Sequence, residues 1–425
     1  MAAALPETQP LLDAHARMRA SDTAAPTSLA QRQSSAMERF AQSGFPGPRE
    51  EDWRYTNLRA FRDAPLVAAN ASGAHETTLP FPAWLWQADP VQLAAPPTAP
   101  AGVTALRLRD ALAANHPLCQ QLGVSGANGA LIDLNDAFAA DAVLLSIDSN
   151  TELSEPLIID WQLATDALGL SSPRLLMHMG VNSKATLVER RIGRGGFSNS
   201  LSELLLEDGA RMQYISVARD NASSHGLTRV DAQLARDAAL DSFNLSLGGT
   251  LTRNDMNVAL NAPGARVSLC GTFVAGKGQH IDNHTSVDHV SELTHSVENY
   301  RGIIGRAGHG VFNGKVIVRE NAQKITSAQS NDNLLLDDSA QIDTKPELQI
   351  YADDVRCSHG ATVGRLDEQA LFYLRSRGLD PQTAQRLLLD AFARSTLSGL
   401  EPAMADALGD TLTEFLASQV KESSS

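Results

Sequence analysis

Cysteine is scarce in this chain: 425 residues contain three, Cys119, Cys270 and Cys357. They lie too far apart for a CxxC-type zinc or redox motif, and they imply no disulfide framework. Aromatic residues are also few, at 5%. No apolar run approaches the roughly 18 residues of a membrane-spanning helix. Positive charge is outnumbered, with 35 Lys and Arg against 49 Asp and Glu for a net charge of −14. That balance argues against a nonspecific hold on nucleic acid or on an anionic membrane. The opening MAAALPETQPLL lacks the cationic start of a secretory signal. A cytoplasmic location with reduced thiols is the expectation. What remains is ordinary globular material, 43% hydrophobic and 20% charged, long enough for about three units of roughly 150 residues.

The segment 1–27, rich in Ala, Pro, Thr and Ser, reads as a mobile or loosely attached arm. Residues 28–43 read as a helix, with Ser28 as N-cap and Gly44 as its stop. FPGPREEDWRYTNLRAF at 45–61 reads as a connector pinned by Trp53, Tyr55 and Phe61. Between 64 and 102 the Pro- and Ala-rich sequence supports no assignment, and residues 1–127 are grouped as an N-terminal arm and helical or mixed region.

From 128 to 364 the texture changes to short Val, Ile and Leu stretches separated by Gly, Asn, Asp and Ser, the pattern of many short strands. AVLLSI (142–147), PLIIDW (156–161), RLLMHMGV (174–181), KATLVER (184–190), RMQYISV (211–217) and KVIVRE (315–320) are examples. An Ala followed two residues later by an apolar residue recurs at Ala185, Ala210, Ala238 and Ala265, at intervals of 25, 28 and 27. Such a period predicts a solenoid whose rungs cover one another, a parallel β-helix, in preference to a β-sandwich. After Gly364 the chain turns helical over 365–425. Asp367 caps one helix that stops at Gly378, and Asp380 caps a second that opens with Pro381. A third carries Leu408, Leu412, Phe415 and Leu416. These helices either cap the open rung of the solenoid or dock a partner.

Three segments bear on chemistry. GTFVAGKG (271–278) imitates a phosphate-binding loop, but Gly278 replaces the Ser or Thr that would hold Mg²⁺, and no helix is expected to follow. GRGG at 193–196 is explained by a tight turn. Five histidines, His280, His284, His289, His295 and His309, crowd into one short stretch, but their spacing fits no established zinc signature. In DDVRCSHGATVG (353–364), Cys357 and His359 are two apart, so a strand points both to one face, roughly 6.7 Å apart. That gap is wide for chelating one ion but suits two donors offered to a multinuclear site or a facing chain, and thiolate and imidazole both ligate iron. The alternative is a buried small Cys beside a surface His. No nucleophile elbow, HExxH or dinucleotide fingerprint is present, so a self-contained enzyme is poorly supported. A β-helix enzyme acting on polysaccharide or another polymer is the second reading.

Three stretches carry a family resemblance: EDWRYTNL (51–58), YRGII with the following GRAGHGVFNGKVIV (300–318), and KPELQIYADDVRCSHGATVGRLDEQALFYLRSRGL (345–379). In them the chain resembles the SufB/SufD family of the SUF iron–sulfur cluster assembly machinery. Absence of an N-terminal extension and of clustered Cys favours the SufD side of that family. The resemblance implies a mostly β fold, a right-handed parallel β-helix core with N- and C-terminal helical regions. It also implies a non-enzymatic scaffold that pairs with SufB through the β-helix and with SufC, an ABC-type ATPase, through the C-terminal helices. His359 and, more weakly, Cys357 match the family's CSH element, implicated in binding iron or a transient iron–sulfur cluster at the SufB/SufD interface. A flavin in the assembled complex and a homodimer in the absence of SufB are further implications; none attaches to the five clustered histidines.

Overall fold

The computed structural model describes residues 5–71, 81–124, 126, 128–163 and 165–423. From Lys184 onward, strands alternate between two sheets, an eleven-stranded sheet A that ends in Gln341–Ile350 and a nine-stranded sheet B that ends in Val355–Gly364. Each turn of chain adds one strand to each sheet, and neighbours are parallel and in register. The fold is therefore mostly β, a parallel β-helix flanked by helices, as the pattern predicts. One early strand departs from the rule: Val103–Arg107 runs antiparallel to Val143–Ile147.

Register explains the repeat. Arg211, Ala239, Arg266 and His295 are successive partners in sheet B, one per turn of the solenoid. Ala210, Ala238 and Ala265 consequently stack just before their strands, each fully buried at the turn. Ala185 belongs to a different column, for it pairs with Met212, so the interval of 25 compared positions two residues out of phase. Inward positions stack into columns. Ala185, Met212, Leu240 and Val267 form one, and Leu187, Tyr214, Ser242 and Leu269 its neighbour. The aliphatic members belong to the main core, which opposes the two sheets. Each such side chain contributes about 1.5–3 kcal/mol relative to exposure.

Helical segments cover the outer faces of the two sheets. On sheet A, the helices Gln9–Ser21, Thr27–Ser43 and Ala130–Phe138 bury Leu11, Ala36, Phe40 and Phe138 with Phe197, Leu227 and Leu251. The expectation of a loose arm is thus corrected for its described part: Leu11, Ala14 and His15 are buried, with the His15 ring edge-on to Phe138 at 5.9 Å. Positions 1–4 of that arm lie outside the described residues. The second helix starts at Thr27 with Pro26, not Ser28, in the N-cap position. At its other end Gly44 takes φ 67°, a left-handed conformation that glycine adopts without a Cβ clash. On sheet B, Pro381–Arg394 and Pro402–Ser423 pack Leu389, Ala393, Leu408 and Leu412 over Ile215, Leu245, Val274 and Ile303. These helices therefore lie along the flank and do not cap the last rung.

Asp367 and Asp380 cap their helices as the sequence predicts, accepting from the backbone N–H of Gln369 and Thr383. The GTFVAGKG segment is a strand end and turn: Arg266–Ala275 leads into the strand His280–His289, with no helix to receive a phosphate. Among the described residues, no helix is long and apolar enough to cross a membrane.

Candidate functional site

The last rung consists of Gln341–Ile350 and Val355–Gly364, and each strand ends its sheet with a neighbour on one side only. Cys357 and His359 sit on the second of these, facing the same way. Cys357 pairs with Ser327 and His359 with Gln329. The thiol is half-buried against Val316, Val318, Ala322 and Ile325, and the face it shares with His359 is the inward one. Burial pushes the Cys357 thiol up, against a backbone hydrogen bond at Ser327. His359 is exposed because no further rung covers it.

Beneath these two residues the interior columns change character. Under Cys357 the sequence of inward residues is Ser327, Ser296, Val267 and Leu240. Under His359 it is Gln329, Glu298, Leu269 and Ser242. Ser296 donates to Ser327 at 2.8 Å, and the buried His289 reaches Ser296 at 3.0 Å and Thr294 at 2.7 Å. Burial holds His289 down at about 4 and pushes Glu298 up to about 7, the latter against the Thr285 hydroxyl and the nearby Gln329. Gln329 is buried, its amide beside the Glu298 carboxyl beneath it, and its Oε1 makes no hydrogen bond. Motif reading missed these second-layer residues; the rung period, which links 298, 329 and 359, was the signal that could have found them.

The clustered histidines fall into three separate places. His280, Asp282 and His284 alternate onto the outer face of sheet A, under the segment Glu51–Thr56. Thr56 donates its hydroxyl proton to Asp282 and contacts His280 Nε2 at 2.8 Å. His280 Nδ1 meets His309 Nδ1 at 3.0 Å, and His309 Nε2 meets Asp343 at 2.7 Å. With the Thr56 proton committed to Asp282, His280 Nε2–H donates to Thr56 and leaves Nδ1 to accept from His309. Burial pushes His280 down to about 4, consistent with a ring that keeps one nitrogen bare.

Burial alone would raise the Asp282 carboxyl, but His284 and Arg253 outweigh it and hold it well below the usual carboxylate range. Arg253 also donates to the Asp52 carbonyl at 2.7 Å and lies 3.7 Å from the Trp53 ring centroid. The histidine cluster is thus largely the anchorage of the N-terminal segment. His289 stands in the interior and His295 is exposed at a strand start. Cys270 packs on the outer side of sheet B and Cys119 near the N-terminal helices, so neither joins Cys357.

A two-residue donor pair on an open rung is incomplete by itself. Among the described residues, no three or more His, Cys, Asp and Glu side chains converge to hold a metal ion. The family model for the SUF system FeS cluster assembly SufBD core domain matches residues 162–392, most of the solenoid and the chain that follows it as far as the helix Pro381–Arg394. The chain belongs to the SufBD family. The iron–sulfur cluster assembly protein SufD of Escherichia coli is 30% identical over 275 residues, which cover 63% of this chain and 65% of that protein. A SufBD family protein of Synechocystis is 29% identical over 400 residues, 87% of each chain. SufD of Bacillus subtilis is 30% identical over 230 residues, 52% of this chain and 51% of that one. Membership in this family places the chain in the SUF system of iron–sulfur cluster assembly.

Proposed function

We propose that this SufBD family protein is a scaffold subunit without enzymatic activity of its own, and that its last rung supplies part of the site where iron or a nascent cluster is held. The observation that carries this reading is the pairing of a soft thiol with a borderline imidazole on one face of a strand with an unpaired edge. Iron is cargo here. A second chain must complete the ligand set, because this one brings no third donor to Cys357 and His359 among its described residues.

The partner chain is a SufB-type paralogue, laid against the terminal strands by β-edge pairing. An ABC-type ATPase of the SufC kind docks on the C-terminal helices. Supporting the second contact, the helix Glu368–Ser376 buries none of its residues and exposes Phe372 at 73% and Tyr373 at 56%. ATP is hydrolysed by that partner, in keeping with the strand and turn that GTFVAGKG forms here.

The test is His359→Ala, co-expressed with both partners and purified as the complex. Cluster content falls at least tenfold while subunit stoichiometry is kept. Unchanged cluster content in an intact complex removes His359 from the site.

A further inference from the structure

The metal-binding reading of His359 leaves open what sets its ring. An imidazole binds a metal through a bare nitrogen, and its other N–H is normally held by an acceptor that fixes tautomer and orientation. On the exposed last strand no hydrogen bond to the His359 ring is formed among the described residues. The rung below carries one buried group of the acceptor kind.

Gln329 is the direct register partner of His359, on the same inward face. Adjacent strands lie about 4.8 Å apart, so consecutive side chains of a column are within reach of each other. Gln329 is 4% exposed, and its amide lies against the Glu298 carboxyl below and helps hold its pKa down, but its Oε1 makes no hydrogen bond. A buried amide oxygen left unsatisfied is rare and calls for a reason. Gly314, on the opposing sheet, makes the space for it, since a Cβ there would stand 2.1 Å from Gln329 Nε2. Below, Glu298 continues the column and is tied to Thr285. The column under His359 is therefore polar for two rungs, while the preceding position is Leu269.

We infer that Gln329 is a positioning residue for His359: its amide oxygen accepts one imidazole N–H and leaves the other ring nitrogen bare toward the iron cargo. This rests on the reading of His359 as an iron donor, but its test does not. A hydrogen-bonded layer also lies under Cys357, whose register partner Ser327 accepts from Ser296, which in turn meets His289. Both donors of the last rung thus stand on a hydrogen-bonding layer, which a purely apolar solenoid interior would not supply.

The test uses the metal-free full chain, labelled with ¹⁵N-histidine, at a pH where His359 is neutral. Nitrogen chemical shifts, assigned with His359→Ala, report which ring nitrogen carries the proton. In the parent, His359 shows one fixed tautomer. In Gln329→Leu, of similar volume, the shifts move toward the rapidly exchanging mixture of a free imidazole, while Gln329→Glu, which keeps an acceptor, retains the parent pattern. Identical His359 shifts in the parent and Gln329→Leu would overturn the inference. Should Gln329→Leu fail to fold, the parent spectrum decides alone: a free-imidazole mixture at His359 contradicts the proposal. Failure of the iron-donor reading is recognised separately, as unchanged cluster content in the His359→Ala complex.

Discussion

At the scale of single residues, the buried carboxyl of Glu298 ties the site to the protein's stability. Its pKa rises from 4.5 to about 7 because burial penalises the charged form. A raised folded-state value gives stability that is complete below the unfolded pKa and is lost as pH rises through about 7. Glu298→Gln keeps an acceptor for Thr285 and removes the ionisation. At pH 8 the variant is more stable than the parent by on the order of 2 kcal/mol, and at pH 4.5 this advantage disappears. Urea unfolding at both pH values measures it, and an equal difference at the two would show that ionisation has no part in it.

Cys357 and His359 were legible in the sequence, because a separation of two on a strand fixes a shared face. Gln329 and Glu298 were not, because their relation to His359 exists only through register between rungs a full turn of chain apart. The interval of 25 at Ala185 shows how easily a two-residue phase error hides such a column.

Among the elements, the anchorage of Glu51–Thr56 centres on one buried guanidinium, with Thr56 on Asp282 and the Lys315–Asp52 and Lys345–Glu51 pairs beside it. Arg253 is 2% exposed and holds Asp282 at 2.8 Å, the Asp52 carbonyl and the Trp53 ring. Arg253→Met leaves Asp282 buried with His284 but without its guanidinium, a loss of about 3 kcal/mol. Thermal unfolding measures this, and proteolysis around residue 50 accelerates in parallel. A loss no larger than that of an ordinary surface substitution, below about 0.5 kcal/mol, would show that the anchorage is incidental.

The helix Glu368–Ser376 behaves oppositely. Since none of its residues is buried, Phe372→Asp leaves unfolding unchanged within about 0.5 kcal/mol and abolishes co-purification of the ATPase partner. Retained co-purification would remove this helix from the docking surface. The C-terminal helices were readable from the Asp caps of the first two and from their apolar stripes. The N-terminal one was not: in QPLLDAHARMRAS, few apolar residues mark the stripe, and tertiary contact with Phe138 and the rest of the sheet A packing makes the helix.

For the whole molecule, the described helices lie along both flanks and leave the end of the solenoid bare, and there the two columns beneath Cys357 and His359 are polar. An apolar solenoid needs a cap; this one presents two open strand edges, with Val363 at 50% and Ile350 at 40% exposure. Long-range periodicity made the solenoid legible, but which sheet each helical region covers depends on contacts between segments distant in sequence, such as Phe61 with Phe197 on sheet A. The central claim is that this open end gives an imidazole to a cluster completed by another chain. Its most direct measurement is pulsed electron paramagnetic resonance on the reduced complex, with ¹⁵N-histidine only in this subunit. The account predicts a ¹⁵N hyperfine coupling to the cluster that vanishes in His359→Ala; a cluster signal with no such coupling in the unsubstituted complex would contradict it.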